Sequence, residues 1–514
     1  MRSIEQSIAP AAHCDRRQML RGMASTLVAA NALARDVAFA NTSAPASPTR
    51  FTRLFAQLPP FAPATPQVRA ALLDIGRPGG VMDANDNLAA GPAALILDPA
   101  LSLNNPNAAL PDGVAGTTFM GQFIDHDMTF DVGSRLGVPT DPRRSINARM
   151  PALDLDSLYG AGPVADPLLY ERSDRIKFRL ESGGRFEDLP RTADGGALIA
   201  DPRNDENLVI AGLHAAFLKF HNRAVDHVRA SGETDAATVF ARARRLLTWH
   251  YQWIVVHEIL PSFIGQRMTN ELLYQRSSLR RDDDAGDRLT AMPVEFQGAA
   301  YRFGHSMVRP SYRANLRGDN HAAFFAMVFD PAAEGQPDPV DLRGGCRAPR
   351  RFIGWQTFFD FGDGEARPRK RLDTRISTPL FHLPLGSIPD GTQPQSLPQR
   401  NLLRQLTWGL PSGQRIAEAL RVPMLRGGDF AELSGYGVGF ERSTPLWYYV
   451  LKEAELIGGG QLLGPVGGRI VGEVIVGLLR GDRQAWLAAA PEWTPTLPSR
   501  YGAGQFRMID LLIF

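Results

Sequence analysis

A chain of 514 residues with 44% hydrophobic and 21% charged residues can bury a large core and has an ordinary globular composition. Its formal net charge of +2 provides no long-range field to draw nucleic acid or an anionic membrane surface. No run reaches the roughly 18 apolar residues of a membrane-spanning helix, and two cysteines, Cys14 and Cys346, exclude a disulfide framework and a cysteine-rich metal site.

In chain order, residues 15–21 (DRRQMLR) are close to a twin-arginine export signal. The mildly apolar GMASTLVAANALA follows, and Ala38-Phe39-Ala40 offers a small-residue cleavage site. Residues 1–40 are therefore expected to act as a signal, which would make the protein periplasmic or extracellular; without that function it would be cytoplasmic. Residues 41–68, rich in Pro, Ala, Ser and Thr, read as a linker to a body spanning 69–514. Helical periodicity marks 206–231, 236–260, 412–421 and 445–457, and alternating strand patterns are few and short. Arg280-Arg281-Asp282-Asp283-Asp284 reads as a solvated loop, and 383–400 as a long Gly/Pro-rich connection. The expected fold is mainly α: one large helical domain with long irregular loops.

Four segments carry chemistry. In FMGQFIDHDMTF, His126 stands between Asp125 and Asp127 in an apolar setting, where charges need partners. Adjacent helical residues diverge by about 100°, so the three neighbours address different groups rather than one ion. In DPRNDE, Arg203 and Glu206 are three apart and share a face if the following helix begins early; the bland alternative is an acidic helix start. His214, His221 and His227 miss the i, i+4 spacing of a zinc helix and read as core or surface residues. In AYRFGHSM, His305 sits among aromatics and a glycine that lets something flat approach. In LPQRNLLR, Asn401 lies at a helix start, where it could serve as a cap.

Together, and in this order, these segments resemble the animal haem peroxidase family from about residue 70 to 510. GQFIDHD resembles its distal motif, DPRNDEN its Arg-x-x-Glu motif, YRFGHSM its proximal motif, and NLLRQLTWGLPSGQ its Asn-x-x-Arg segment in bacterial form. TPLWYYVLKEAE and LLGPVGGRIVGEVIVGLL resemble the C-terminal helices of bacterial members.

The resemblance implies haem b as cofactor, with hydrogen peroxide and a small electron donor (halide, thiocyanate or phenol) as substrates. It implies His126 as distal acid–base, Arg203 as stabiliser of the leaving oxygen, and Gln122 beside the distal water and halide site. It implies His305 as proximal iron ligand, with Asn401 accepting its ring proton, and Arg302 and Arg404 on the propionates. Asp125 and Glu206 match residues that form ester links to haem, while Asn207 stands where a sulfonium link would need Met. Asp127, Ala152, Asp154 and Asp156 match a calcium loop, an oxygen donor set that suits a hard cation. Met150 replaces the loop's usual Thr, and Asp156 its usual Ser.

Three alternatives differ in what they require. A fatty-acid oxygenase on the same fold needs Tyr three residues before the proximal His; Arg302 stands there and Tyr301 is one further away. An inactive adhesion protein would be free to lose Arg203 or His126. A non-haem hydrolase built on Asp-His-Asp leaves Arg203 and His305 without a role.

Overall fold

The computed structural model describes residues 49–514 apart from 105–112, 183–186, 276–278, 280–290, 337, 346–349 and 389–392. The expected signal 1–40, the acidic–basic run 280–284 and both cysteines lie outside the described residues.

The chain is mainly helical, and seven helices organise the site: α1 Pro66–Ile75, α2 Ala115–Met128, α3 Leu208–Ala230, α4 Ala236–Ile254, α5 Leu397–Trp408, α6 Leu446–Leu456 and α7 Pro465–Gly481. Their starts follow from sequence. Thr65, Asp235 and Ser396 each cap a first-turn N–H with a side-chain oxygen, and Asn207 caps two. Strands are short: β1 Thr49–Thr52 pairs antiparallel with β2 Ile146–Asn147 and parallel with β3 Met292–Pro293, and β4 Ser311–Asp319 forms a hairpin with β5 Ala322–Met327. The hairpin turns on Asn320 and His321, both at positive φ (49° and 68°), the left-handed pair that matches strand twist.

Helix α2 runs through the core, so that neither its faces nor its termini read as amphipathic. Eleven of its 14 residues are buried. Phe123 stacks on Phe217 of α3 at 4.6 Å, and Tyr251 of α4 packs edge-on against both. Gly116 is required by proximity: a Cβ there would lie 2.5 Å from the Phe359 ring.

Two expectations are corrected. The stretch from Thr49 to residue 68 is no linker: Phe51, Phe55 and Phe61 are buried, and Glu295 accepts the backbone N–H groups of Leu54 and Phe55. Its Pro/Ala/Ser/Thr content hid three buried aromatic anchors. Nor does α3 begin early enough to hold Arg203 and Glu206. They lie in and just after a separate 3-10 turn, Pro202–Asp205, and extended Asn207 (φ −145°) breaks the path to α3.

Candidate active site

The last two turns of α2 carry Gln122, Asp125, His126 and Asp127, with Gln122 and His126, four apart, on one face and the two aspartates turned to either side. Gln122 accepts a hydrogen bond at Oε1 from Nδ2 of Asn207, 3.3 Å away. His126 is 4% exposed. Burial, with the Arg203 charge beside it, pushes its basicity down to about 3, so the imidazole is neutral at ordinary pH. Arg203 donates from Nε and Nη2 to the two oxygens of fully buried Asp201 (3.0 and 2.8 Å) and from Nη2 to the His126 carbonyl (3.0 Å). Its guanidinium also lies over the Phe130 ring, 4.2 Å from the centroid. Arg149 joins the same Asp201 at 2.7 Å. With Arg203 and Arg149 beside it, Asp201 stays well below the usual carboxylate range even though it is buried. Arg203 is thus fixed through three of its donors, while Nη1 takes part in none of these bonds.

Asp125 links this cluster to a second one. Its carboxylate is enclosed, accepts no hydrogen bond among the described residues, and is pushed up by burial while Arg203, Arg302 and Arg404 pull it down. The second cluster is carried by the 3-10 segment Ala300–Met307, joined to α2 where the Thr118 hydroxyl donates to the Met307 carbonyl at 3.4 Å. His305 is enclosed yet keeps part of its surface, and burial with Arg302 and Arg404 lowers its basicity to about 3. Arg302 donates to the Gln297 carbonyl (2.8 Å) and to Asn401 Oδ1 (3.2 Å), and its backbone carbonyl accepts from the Trp447 indole (3.1 Å). No carboxylate pairs with Arg302 among the described residues, and burial beside Arg404 lowers it to about 9. Arg404 itself is ion-paired with Asp131.

Asn401 differs from the expectation. Its Nδ2 faces His305 Nδ1 at 2.7 Å, because Arg302, which can only donate, occupies Oδ1. In this arrangement Asn401 donates to the ring rather than accepting from it.

These residues fit a flat dianionic group with a central metal. A Cβ built on Gly304 meets nothing within 4 Å, although its neighbours Phe303, Ser306 and Met307 are buried. His305, Asp125, Arg302 and Arg203 all retain surface inside an enclosed region. Arg302 and Arg404 bring more positive charge than Asp131 neutralises. Glu206, half-buried beside Asn207, completes the set. Tyr301, the residue nearest to an oxygenase tyrosine, stacks on Phe296 at 4.6 Å with its hydroxyl buried and unpartnered.

Asp127 turns the other way. Together with Asp154 and Asp156 it places three carboxylate oxygens within 4.8 Å of one another. Burial and mutual repulsion push Asp127 up, and Asp156 to about 7. Asp127 accepts from the Leu155 N–H and the Ser157 hydroxyl, both at 3.2 Å, and the Met150 N–H donates to Asp156 at 3.0 Å. Among the described residues, the cations nearest to Asp154 and Asp156 are Arg244 at 3.8 Å and Arg149 at 3.9 Å. Ala152, buried in the loop, supplies backbone alone.

The sequence did not reveal Asp201, Asn204, His214 or Asp131. Asp201 and Asn204 lie inside a motif already singled out, flanking Arg203, but nothing local shows which neighbour they face. His214 looked like a core or surface residue; it is 1% exposed and bonded to Asn204.

Comparison with known proteins agrees with this geometry. Residues 131–337 match the family model "Animal haem peroxidase". Peroxidasin homolog pxn-1 of Caenorhabditis elegans is 24% identical over 394 residues, 69% of this chain and 28% of that protein. Thyroid peroxidase of Sus scrofa is 26% identical over 41% of this chain and 25% of that protein. The chain thus spans about a quarter of the length of these relatives. In structure, peroxidase A from Dictyostelium discoideum superposes with TM-score 0.57 at 16% identity, covering 85% of this chain and 88% of that one. The fatty acid alpha-dioxygenase of Oryza sativa superposes with TM-score 0.52 at 14% identity over 73% of this chain and 70% of that one. Both likenesses concern the fold.

Proposed function

Residues 131–337 belong to the animal haem peroxidase family, and for the whole chain we propose a haem-dependent peroxidase that reduces hydrogen peroxide and oxidises a small donor, a halide, thiocyanate or phenol. One observation carries the reading: neutral His126 and His305 come from segments 179 residues apart, His126 beside Arg203 and His305 beside Arg302 and Arg404, and the carboxylate of Asp125 feels all three of these arginines.

Haem, when bound, would supply the redox centre that takes two oxidising equivalents from peroxide. His305 would hold it through Nε2, with Arg302 and Arg404 facing the propionates and Asp125 and Glu206 placed for ester links. Ligation at Nε2 leaves the ring proton on Nδ1, so Asn401 must then turn its Oδ1 to His305. Arg302 permits the turn once it has a carboxylate of its own. On the distal side, Nε2 of His126 removes a proton from one peroxide oxygen and returns it to the other as the O–O bond breaks. Arg203, held by Asp201, would stabilise the charge that develops on the departing oxygen. Gln122, fixed by Asn207, borders the same space.

The Asp127, Asp154 and Asp156 cluster supports a calcium site: one buried and two half-buried carboxylates in mutual repulsion gain most from a hard dication. The Arg16-Arg17 pair supports export. The test of the main reading is the absorption spectrum of the purified full-length protein after haem loading. A Soret band is expected; its absence sinks the reading. His126→Ala should keep the band and lose reaction with hydrogen peroxide, whereas His305→Ala should lose the normal spectrum.

A further inference from the structure

Between His126 and His214 lies one side chain, and it is bonded to both. Asn204 places Oδ1 2.9 Å from Nδ1 of His126 and Nδ2 2.9 Å from Nδ1 of His214. All three residues are at most 4% exposed, so water does not substitute for either bond. The carboxamide oxygen only accepts and the nitrogen only donates. In this orientation His126 therefore carries its proton on Nδ1, and its Nε2 is an unprotonated acceptor. His214 accepts at Nδ1 and carries its own proton on Nε2.

The reverse orientation has a definite consequence. With the amide turned over, Nδ2 would face His126, forcing the ring proton onto Nε2, and a neutral imidazole of that form cannot take a proton there. The observed form suits both halves of a proton round trip. When Nε2 accepts a proton, Nδ1–H still donates to Oδ1, and nothing has to rearrange. His214 is what opposes the turn, since the reversed amide would require His214 to move its proton from Nε2 to Nδ1 at the same time.

We propose that Asn204 is a positioning residue that holds His126 in its Nδ1–H form, and that His214 latches the Asn204 amide in the competent orientation. This rests on the reading of His126 as the proton carrier.

The test uses the haem-loaded full-length protein and two rates: reaction with hydrogen peroxide, and uptake of cyanide followed by absorption. Hydrogen cyanide must give up its proton to a distal base to bind as the anion, so its uptake reports the base without turnover. Asn204→Leu, with unchanged haem content, should slow both rates by roughly 10- to 100-fold, the usual effect of losing a partner that orients a functional imidazole. Asn204→Asp retains the acceptor for Nδ1–H and should recover both to within a few-fold of the parent. His214→Phe leaves Asn204 in place but unlatched and should slow both by roughly 3- to 10-fold, less than loss of Asn204 itself. Parental rates in Asn204→Leu overturn the proposal, as does failure of Asn204→Asp to recover what Asn204→Leu loses, which would mark a packing role. If Asn204→Leu does not fold, parental rates in His214→Phe overturn the latch, and loss of both rates in Asn204→Asp overturns the positioning role. Parental rates in His126→Ala would instead overturn the functional reading beneath it.

Discussion

Arg404 Nη1 lies 2.8 Å from Oδ2 of Asp131, a residue 273 positions earlier whose side chain is 4% exposed. Arg302, the other arginine of this cluster, has only neutral oxygen acceptors among the described residues. The two arginines should therefore fail in different ways when replaced. Arg404→Ala removes the ion-pair partner of a buried carboxylate that keeps its hydrogen bonds from Gly133, Ser134 and Ser145, and should destabilise the fold by about 1.5–3 kcal/mol, visible as a lower Tm without haem. Arg302→Gln removes a buried cation that burial disfavours, so the haem-free chain should be no less stable, while haem affinity falls roughly 10- to 100-fold through loss of a charge-assisted pair. Haem titration with thermal melts checks both; a large stability loss in Arg302→Gln would contradict the assignment.

Asp125 offers a carboxylate that accepts no hydrogen bond among the described residues, and Glu206 acts, as Asp125 does, on the charge of Arg203. After turnover with hydrogen peroxide, haem should stay with the denatured chain in acidic organic solvent. Asp125→Asn should lose a large part of that retention and Asp125→Asn with Glu206→Gln nearly all of it. Equal retention in the double variant excludes these links.

The three carboxylates at 127, 154 and 156 predict a sign reversal. In EDTA, Asp156→Asn relieves like-charge repulsion and should raise Tm. In millimolar calcium the parent should gain Tm and the variant should gain little. A parent Tm that calcium does not move would exclude the site.

His214 behind the site, and His221 and His250 further off, are buried and neutral, with basicities near 3, 4 and 4. Unfolded, each protonates near 6.5, so between about pH 4 and 6.5 the unfolded chain binds more protons than the folded one. Stability should therefore rise with pH over this window, by roughly 1.4 kcal/mol per pH unit for each histidine. His221, which joins the Tyr159 hydroxyl and the Ile176 carbonyl at 2.9 Å each, is the clearest case. His221→Gln should lower the slope by about one proton, measured by urea unfolding at pH 5 and 6.5. An unchanged slope would mean His221 is not held neutral.

Those partners also show what a sequence can and cannot display. His126, Arg203 and His305 stand out because each sits in a short run whose composition is odd for its surroundings. Helices α3, α4 and α6 were legible within a few residues because their apolar spacing is regular. Asp201, Asn204 and Asp131 carry comparable weight, but their roles depend on which distant side chain packs against them. The Asn401 orientation was beyond reach for the same reason: Arg302 and His305 compete for one amide, and only their placement decides which takes the oxygen. The N-terminal stretch misled because three phenylalanines among prolines and alanines look like composition until they are seen buried.

Strand β1 bears on how the chain is made. Phe51 aligns with Met292 and Thr52 with Pro293, while Thr49 and Arg50 align with Asn147 and Ile146. On a ribosome these first residues wait through the synthesis of some 240 more before their parallel partner exists. The N-terminal strand can pair with Ile146–Asn147 early, but the three-stranded sheet is complete only when Met292–Pro293 has been made. An expressed fragment that starts at residue 69 would leave Ile146–Asn147 and Met292–Pro293 without the strand that bridges them, so a serviceable truncation has to fall ahead of Thr49.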